Sequence, residues 1–212
     1  MIRVIVFDFD GVIVDSNRLK QESLLSIFEG SGVKEDIVRE VESRTQGTRF
    51  DILRDIFVRS GKNAEEVAAL TDEYAKRFDD AVQRGIAEYG MIPGTREALA
   101  ELGRSYALYV NSMTPQAALE KTISHLGIHS FFKRIYGWPP EKTENLKNII
   151  AAEGRDSAEV MMVGDGEGDI EAAERCGCPF VGVANDFNQW KNKRFPLIRA
   201  IAELGPLVAK NV

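Results

Sequence analysis

The stretch VIVFDFDG, residues 4–11, places a short apolar run directly before two aspartates and a glycine. The run Val4–Phe7 is rich in β-branched residues and lacks polar alternation, which is typical of a strand buried on both faces of a parallel sheet. Asp8 and Asp10 are two residues apart, so their side chains point the same way if the extended backbone continues. The stretch therefore predicts a buried strand with two carboxylates at its carboxyl end.

Further apolar runs alternate with helical patterns along the rest of the chain. The predicted strands are Tyr106–Val110, Phe131–Tyr136, Val160–Val163 and Phe180–Val183. Apolar residues at three- and four-residue spacing predict helices at Arg96–Leu102, Gln116–Leu126, Asn145–Glu153 and Ile170–Cys176. Strand–helix alternation of this kind predicts an α/β fold with a doubly wound parallel sheet and right-handed crossovers.

One long segment breaks this alternation and contains no convincing strand. Amphipathic patterns there predict four helices, at Arg18–Glu29, Glu35–Arg44, Phe50–Arg59 and Ala64–Ile86. A connection between parallel strands needs only about a dozen residues, so a much longer one predicts a domain of its own. We expect residues 1–15 and 91–212 to form the α/β core and residues 16–90 to form an inserted all-helical domain.

The composition excludes several classes of protein. The 212 residues are 44% hydrophobic and 28% charged, as in ordinary globular proteins, and the net charge of −6 argues against a nucleic-acid partner. No apolar run approaches the ~20 residues that span a bilayer, and the N-terminus does not resemble a signal peptide. Cys176 and Cys178 are too close together to favour a disulfide, which fits a cytoplasmic location.

Residues that follow the predicted strands are candidates for a site, because ligands of open α/β sheets bind at the carboxyl ends of the strands. The candidates are Asp8, Asp10, Ser112, Lys142, Asp165 and Asp169. Carboxylates brought together in this way repel one another unless a cation lies between them, and oxygen ligands favour Mg²⁺. Lys142 would add positive charge, and Asp169 would either orient this lysine or touch the metal directly.

These positions resemble four ordered motifs of the haloacid dehalogenase superfamily, in its phosphatase branch with a helical cap. The motifs are Asp8-x-Asp10-Gly11, Ser112, Lys142 and Gly164-Asp165-x-x-x-Asp169. The resemblance covers the whole chain. Within the superfamily, the chain resembles phosphoglycolate phosphatases and β-phosphoglucomutases. It implies a Mg²⁺-dependent hydrolase of a small phosphorylated metabolite, with residues 16–90 as the cap.

The resemblance also implies a role for each residue. Asp8 attacks the phosphorus and forms an aspartyl-phosphate, and Asp10 serves as general acid and then as general base. Mg²⁺ is held by the carboxylates of Asp8 and Asp165 and by the backbone carbonyl of Asp10, with Asp169 beside them. Ser112 and Lys142 bind the transferring phosphoryl group.

Some alternatives stay open at the level of sequence. Lys147 competes with Lys142, because many relatives place a proline after the lysine and here Thr143 follows it. A phosphomutase would use the same residues, and a phospho-accepting receiver domain has a similar acidic cluster. A dehalogenase is disfavoured by Asp10. Arg44 and Arg49 of the insertion could grip an anionic substrate or could simply be surface residues.

Overall fold

The computed structural model describes residues 1–45, 48–185, 188, 190 and 194–209. The chain divides into two compact units. The sheet unit comprises Met1–Asp15 and Tyr89–Val212, and the inserted unit comprises Ser16–Glu88. That the inserted unit acts as a cap stays a prediction.

The sheet unit is built on a parallel sheet with the strands β1 (Val4–Phe7), β2 (Ala107–Pro115), β3 (Arg134–Trp138), β4 (Val160–Gly164), β5 (Phe180–Val183) and β6 (Leu197–Ile198). Their order across the sheet is β3-β2-β1-β4-β5-β6, and every neighbouring pair is parallel. This order reverses on either side of β1, as in doubly wound folds. The predicted α/β fold with a doubly wound parallel sheet is confirmed.

The α-helices of the described residues alternate with these strands or belong to the inserted unit. They are α1 (Ser16–Ile27), α2 (Glu35–Arg44), α3 (Arg49–Arg59), α4 (Ala64–Tyr89), α5 (Thr95–Leu102), α6 (Gln116–His125), α7 (Lys142–Glu153), α8 (Glu167–Cys176) and α9 (Leu204–Ala209). Gly154 and Gly177 follow α7 and α8 with φ of 59° and 71°. Glycine adopts this left-handed conformation without a steric cost, so it ends both helices cleanly.

The core of the sheet unit explains why β1 has no polar residue. All four of its residues are buried. Val4 and Val6 pack on one face against Leu146 and Ile149 of α7, together with Ala172 of α8. Burial of each such aliphatic side chain contributes roughly 1.5–3 kcal/mol, so this packing holds the end of β1 firmly in place.

The inserted unit has a core of its own. Within 16–45 and 48–88 the structure describes helices and no strand. Phe28, Phe57 and Tyr74 form an aromatic cluster at its centre, with ring centroids 4.9–5.6 Å apart. Arg44 pairs with Glu40, and Arg49 pairs with Asp79, so both arginines have acidic partners inside this unit.

Two predicted strands differ from the structure, and one short strand was not predicted. Strand β2 continues past Val110 to Pro115, because Pro115 pairs with Trp138 beyond an irregularity in the ladder. Strand β3 begins at Arg134, since a 3₁₀ turn occupies His129–Phe131. The two-residue strand β6 is too short to produce a periodic pattern. In the described part of the chain, no helix combines the length and the apolar character that crossing a bilayer requires.

Candidate active site

Asp8 lies at the carboxyl end of the central strand and is only 5% exposed. Its backbone N–H donates to the Val163 carbonyl of β4, at 2.8 Å. Its Oδ1 accepts a hydrogen bond of 2.7 Å from the Phe9 N–H. Gly11 follows with φ of 71°, where the chain turns back sharply and a side chain would be strained. The buried strand therefore delivers one anchored carboxylate to the edge of the sheet.

Lys142 brings a positive charge to this site. Its Nζ lies 3.0 Å from Asp8 Oδ2 and 2.7 Å from Asp169 Oδ1. Lys147, five residues further along α7, is exposed and lies near Cys176 instead. The start of α7 is anchored by Asn111, whose Nδ2 donates to the Lys142 carbonyl at 2.9 Å. The structure thus brings Lys142, and not Lys147, to the carboxylates.

Asp169 is held in one orientation from both sides. It is 1% exposed, and its Oδ2 accepts a hydrogen bond of 3.1 Å from the Gly166 N–H at the start of α8. Its other oxygen accepts from Lys142. A Cβ at Gly164 would overlap the Asp169 side chain, so the close packing here depends on glycine. Asp169 is therefore in direct contact with Lys142, and its role in orienting this lysine stays a prediction.

Asp165 completes an acidic cluster with Asp8 and Asp169. Each of the three can place a carboxylate oxygen within 4.8 Å of the others. Hard oxygen donors at this spacing fit Mg²⁺, which favours carboxylates and water as ligands. The cluster found among the described residues does not include the carboxyl group of Asp10. Participation of Asp10 through its backbone carbonyl stays a prediction.

The electrostatics of the cluster also favour a bound cation. Burial raises the pKa of Asp8 well above its ordinary value; Lys142 opposes this shift, and the charges of Asp169, Asp10 and Asp165 add to it. Burial alone would lower the pKa of Lys142, but the carboxylates of Asp169 and Asp8 outweigh it and raise that pKa. The single charge of Lys142 is shared between Asp8 and Asp169, so a divalent ion would further favour the ionised form of Asp8.

Asp10 and Ser112 are linked through a residue that the sequence did not single out. Thr114 Oγ1 donates to Asp10 Oδ2 at 2.8 Å, and the Thr114 N–H donates to Ser112 Oγ at 3.1 Å. Ser112 is fully buried on β2, the neighbour of β1. The carboxyl end of β2 thus approaches Asp10 and orients its carboxylate.

Comparison with known proteins decides the family. The profile of the family described as haloacid dehalogenase-like hydrolase matches residues 5–183, which is most of the chain. The chain belongs to the haloacid dehalogenase-like hydrolases. The resemblance inferred from the sequence motifs is therefore confirmed.

Relatives of this hydrolase include named phosphatases. A phosphoglycolate phosphatase from Synechococcus elongatus is 28% identical over 189 residues, covering 88% of this chain and 85% of that protein. A 5′-nucleotidase from Pseudomonas aeruginosa is 25% identical over 189 residues, covering 86% and 83%. The structure of a candidate β-phosphoglucomutase from Thermotoga maritima covers the whole of both chains, with a TM-score of 0.78 and 19% identity. The last comparison shows a shared fold.

The sequence reasoning missed several residues that shape the site of this hydrolase. Besides Thr114 they include Asn185, whose Nδ2 donates to Asp165 Oδ2 at 2.8 Å, and Asn188, whose Nδ2 donates to the Asp165 carbonyl at 3.2 Å. Both asparagines follow β5. Asn185 lies just after the run Phe180–Val183, as the other candidates lie after their strands, and this position is the sequence signal that indicates it.

Proposed function

We propose that this hydrolase is a Mg²⁺-dependent phosphatase of a small phosphorylated metabolite, with Asp8 as the nucleophile. The observation that carries the proposal is the arrangement around Asp8. This buried carboxylate contacts Lys142 and lies in one cluster with Asp165 and Asp169 at the edge of the sheet. A phosphate ester is the substrate whose negative charge suits a lysine and a divalent ion held together.

In the first step, a carboxylate oxygen of Asp8 bonds to the phosphorus while the bond between phosphorus and the ester oxygen breaks. The products are an aspartyl-phosphate and an alkoxide, and Asp10 gives its proton to the alkoxide. Thr114 donates to Oδ2 of Asp10 and so holds the acid in a fixed direction. General acid help of this kind typically contributes about 10²–10⁴-fold.

In the second step, water attacks the same phosphorus and Asp10 takes up a proton from that water. The bond between phosphorus and Asp8 breaks, which releases inorganic phosphate and restores both carboxyl groups. Covalent catalysis of this kind divides one difficult displacement into two easier ones. The sum of the steps is hydrolysis of the phosphate ester to an alcohol and phosphate.

Charge on the phosphoryl oxygens is balanced by the side chains around Asp8. Lys142 supplies a fixed positive charge, and the hydroxyl of Ser112 can donate a hydrogen bond. Asp8, Asp165 and the carbonyl of Asp10 would hold Mg²⁺, which when bound neutralises further charge on those oxygens. Asp169 holds Lys142 in place from the other side.

The substrate class we propose is a small phosphomonoester. The relatives named for phosphoglycolate and for 5′-nucleotides both fit this class. The net charge of −6 disfavours a nucleic-acid backbone as substrate, and the cysteine usage supports a cytoplasmic location.

The test is phosphate release from p-nitrophenyl phosphate and from a panel containing 2-phosphoglycolate, sugar phosphates and nucleoside 5′-monophosphates, with Mg²⁺ and with EDTA. We expect Mg²⁺-dependent release that Asp8→Asn abolishes. Asp156→Asn is the matched control, because Asp156 is exposed and lies before β4, at the opposite edge of the sheet. Full activity of Asp8→Asn would refute the proposal. Isomerisation of a sugar phosphate without phosphate release would favour the phosphomutase instead.

A further inference from the structure

The loop after β5 contains a pair of asparagines that enclose Asp165. The N–H of Asn188 donates to Asn185 Oδ1 at 3.1 Å, and the N–H of Asn185 donates to Asn188 Oδ1 at 3.2 Å. The Nδ2 of Asn188 also donates to the Val183 carbonyl at 2.7 Å, which ties the pair to the end of the strand. We call Asn185 and Asn188 the asparagine clasp.

The clasp determines which end of the Asn185 amide faces Asp165. Because the amide oxygen of Asn185 already accepts from a backbone N–H, its NH₂ group is the end that remains for the carboxylate. That group donates to Asp165 Oδ2 at 2.8 Å. Asn188 holds the backbone carbonyl of the same aspartate. Both the carboxyl group and the main chain of Asp165 are therefore restrained by one loop.

A restrained carboxylate has a consequence for metal choice. Because one oxygen of Asp165 accepts from Asn185, the carboxylate group cannot rotate freely. The carboxylate is therefore hindered from binding an ion through both oxygens at once. Mg²⁺ requires near-octahedral geometry at about 2.0–2.1 Å, whereas Ca²⁺ takes roughly 6–8 oxygens and often binds a carboxylate through both. Restraint of Asp165 thus suits the smaller ion.

We propose that Asn185 is a positioning residue that holds Asp165 for one-oxygen coordination and so favours Mg²⁺ over Ca²⁺ at this site. The inference rests on the proposed function in taking Asp165 as a metal ligand. Partners that orient metal ligands typically change metal affinity by about 10- to 100-fold when they are removed.

The experiment is calorimetric titration of the whole protein with Mg²⁺ and, separately, with Ca²⁺. The variants are Asn185→Ala and Asn185→Leu; leucine has a similar volume but no donor. Asn148→Ala is the control, because Asn148 is exposed on α7. We expect both Asn185 variants to bind Mg²⁺ roughly 10- to 100-fold more weakly. Ca²⁺ binding should weaken by a smaller factor, so the ratio of the two dissociation constants shifts toward Ca²⁺.

Three results would overturn the inference: an unchanged ratio of affinities in both variants, equal weakening for the two ions, or a wild-type chain that binds neither ion. Thermal melting of the metal-free proteins identifies a variant that has lost its fold. If the alanine variant is unfolded, the binding data of the leucine variant decide between these results. Wild-type hydrolysis of p-nitrophenyl phosphate tests the proposed function separately. A chain that binds Mg²⁺ without hydrolysing esters would leave the role of Asn185 intact.

Discussion

Replacement of Lys142 by methionine removes the charge between Asp8 and Asp169 while keeping most of the side chain's length. At 3.0 Å and 2.7 Å, each ion pair amounts to roughly 5–6 kcal/mol of attraction at an effective dielectric of about 20. The cost of burying the lysine offsets much of this attraction. Removing one partner of a buried ion pair typically destabilises a protein by about 3–5 kcal/mol, because the charge of the other partner is left uncompensated.

For a chain of this size, each kcal/mol corresponds to about 2–4 °C in melting temperature. We therefore expect Lys142→Met to melt roughly 6–20 °C below wild type in EDTA, as measured by calorimetry at pH 8. The matched control is Lys147→Met on the same helix, where the side chain is exposed and the change should stay within about 0.5 kcal/mol. Hydrolysis by Lys142→Met should fall about 10²–10³-fold, as when one stabilising donor is removed from a developing charge.

The same variant has a pH dependence with a definite sign. Lys142 opposes the elevation of the Asp8 pKa, so its removal raises that pKa further above the value in the unfolded chain. When folding raises the pKa of a carboxyl group, the protein loses stability as the pH rises from the pKa in the unfolded chain, near 4, toward the higher pKa in the folded state. The loss of stability that Lys142→Met causes relative to wild type should thus be small near pH 4.5 and grow toward pH 8. A deficit independent of pH, or a larger effect of Lys147→Met, would refute the reasoning.

Three further predictions concern other parts of the site. Thr114→Val should lower kcat roughly 10- to 150-fold with little change in KM, because it removes a hydrogen bond to Asp10, which is charged when it takes up the proton from water. Thr114→Ser should restore activity. A raised KM with normal kcat would contradict this prediction. Gly164→Ala should lower the free energy of unfolding in urea by about 1–3 kcal/mol, because the new methyl group overlaps Asp169. Gly168→Ala is the control, because its new methyl group meets open space and should be tolerated. Equal stability of the two variants would refute this prediction. Mg²⁺ at about 100 times its Kd should stabilise wild type by ~2.7 kcal/mol in thermal melting, and an unshifted transition would exclude a metal site.

Local patterns were enough to predict the fold class and the acidic positions. The run Val4–Phe7 is apolar because both faces of the central strand are covered, and such burial leaves its mark on consecutive residues. Asp8, Asp165 and Asp169 could be selected because parallel strands bring their carboxyl ends to one edge of a sheet, whatever the length of chain between them. Lys142 could be selected in the same way, because it follows the predicted strand Phe131–Tyr136, although the predicted helix began only at Asn145.

The contacts that orient the site were decided by the tertiary structure. Thr114 and Asp10 are 104 residues apart, and Asn185 lies 20 residues beyond Asp165, so neither hydrogen bond leaves a periodic signal in the chain. The choice of Lys142 over Lys147 also depended on which side of α7 faces the end of β1. Sequence records which residues can be buried or charged, whereas hydrogen-bond partners depend on distances and directions that exist only once the strands have packed.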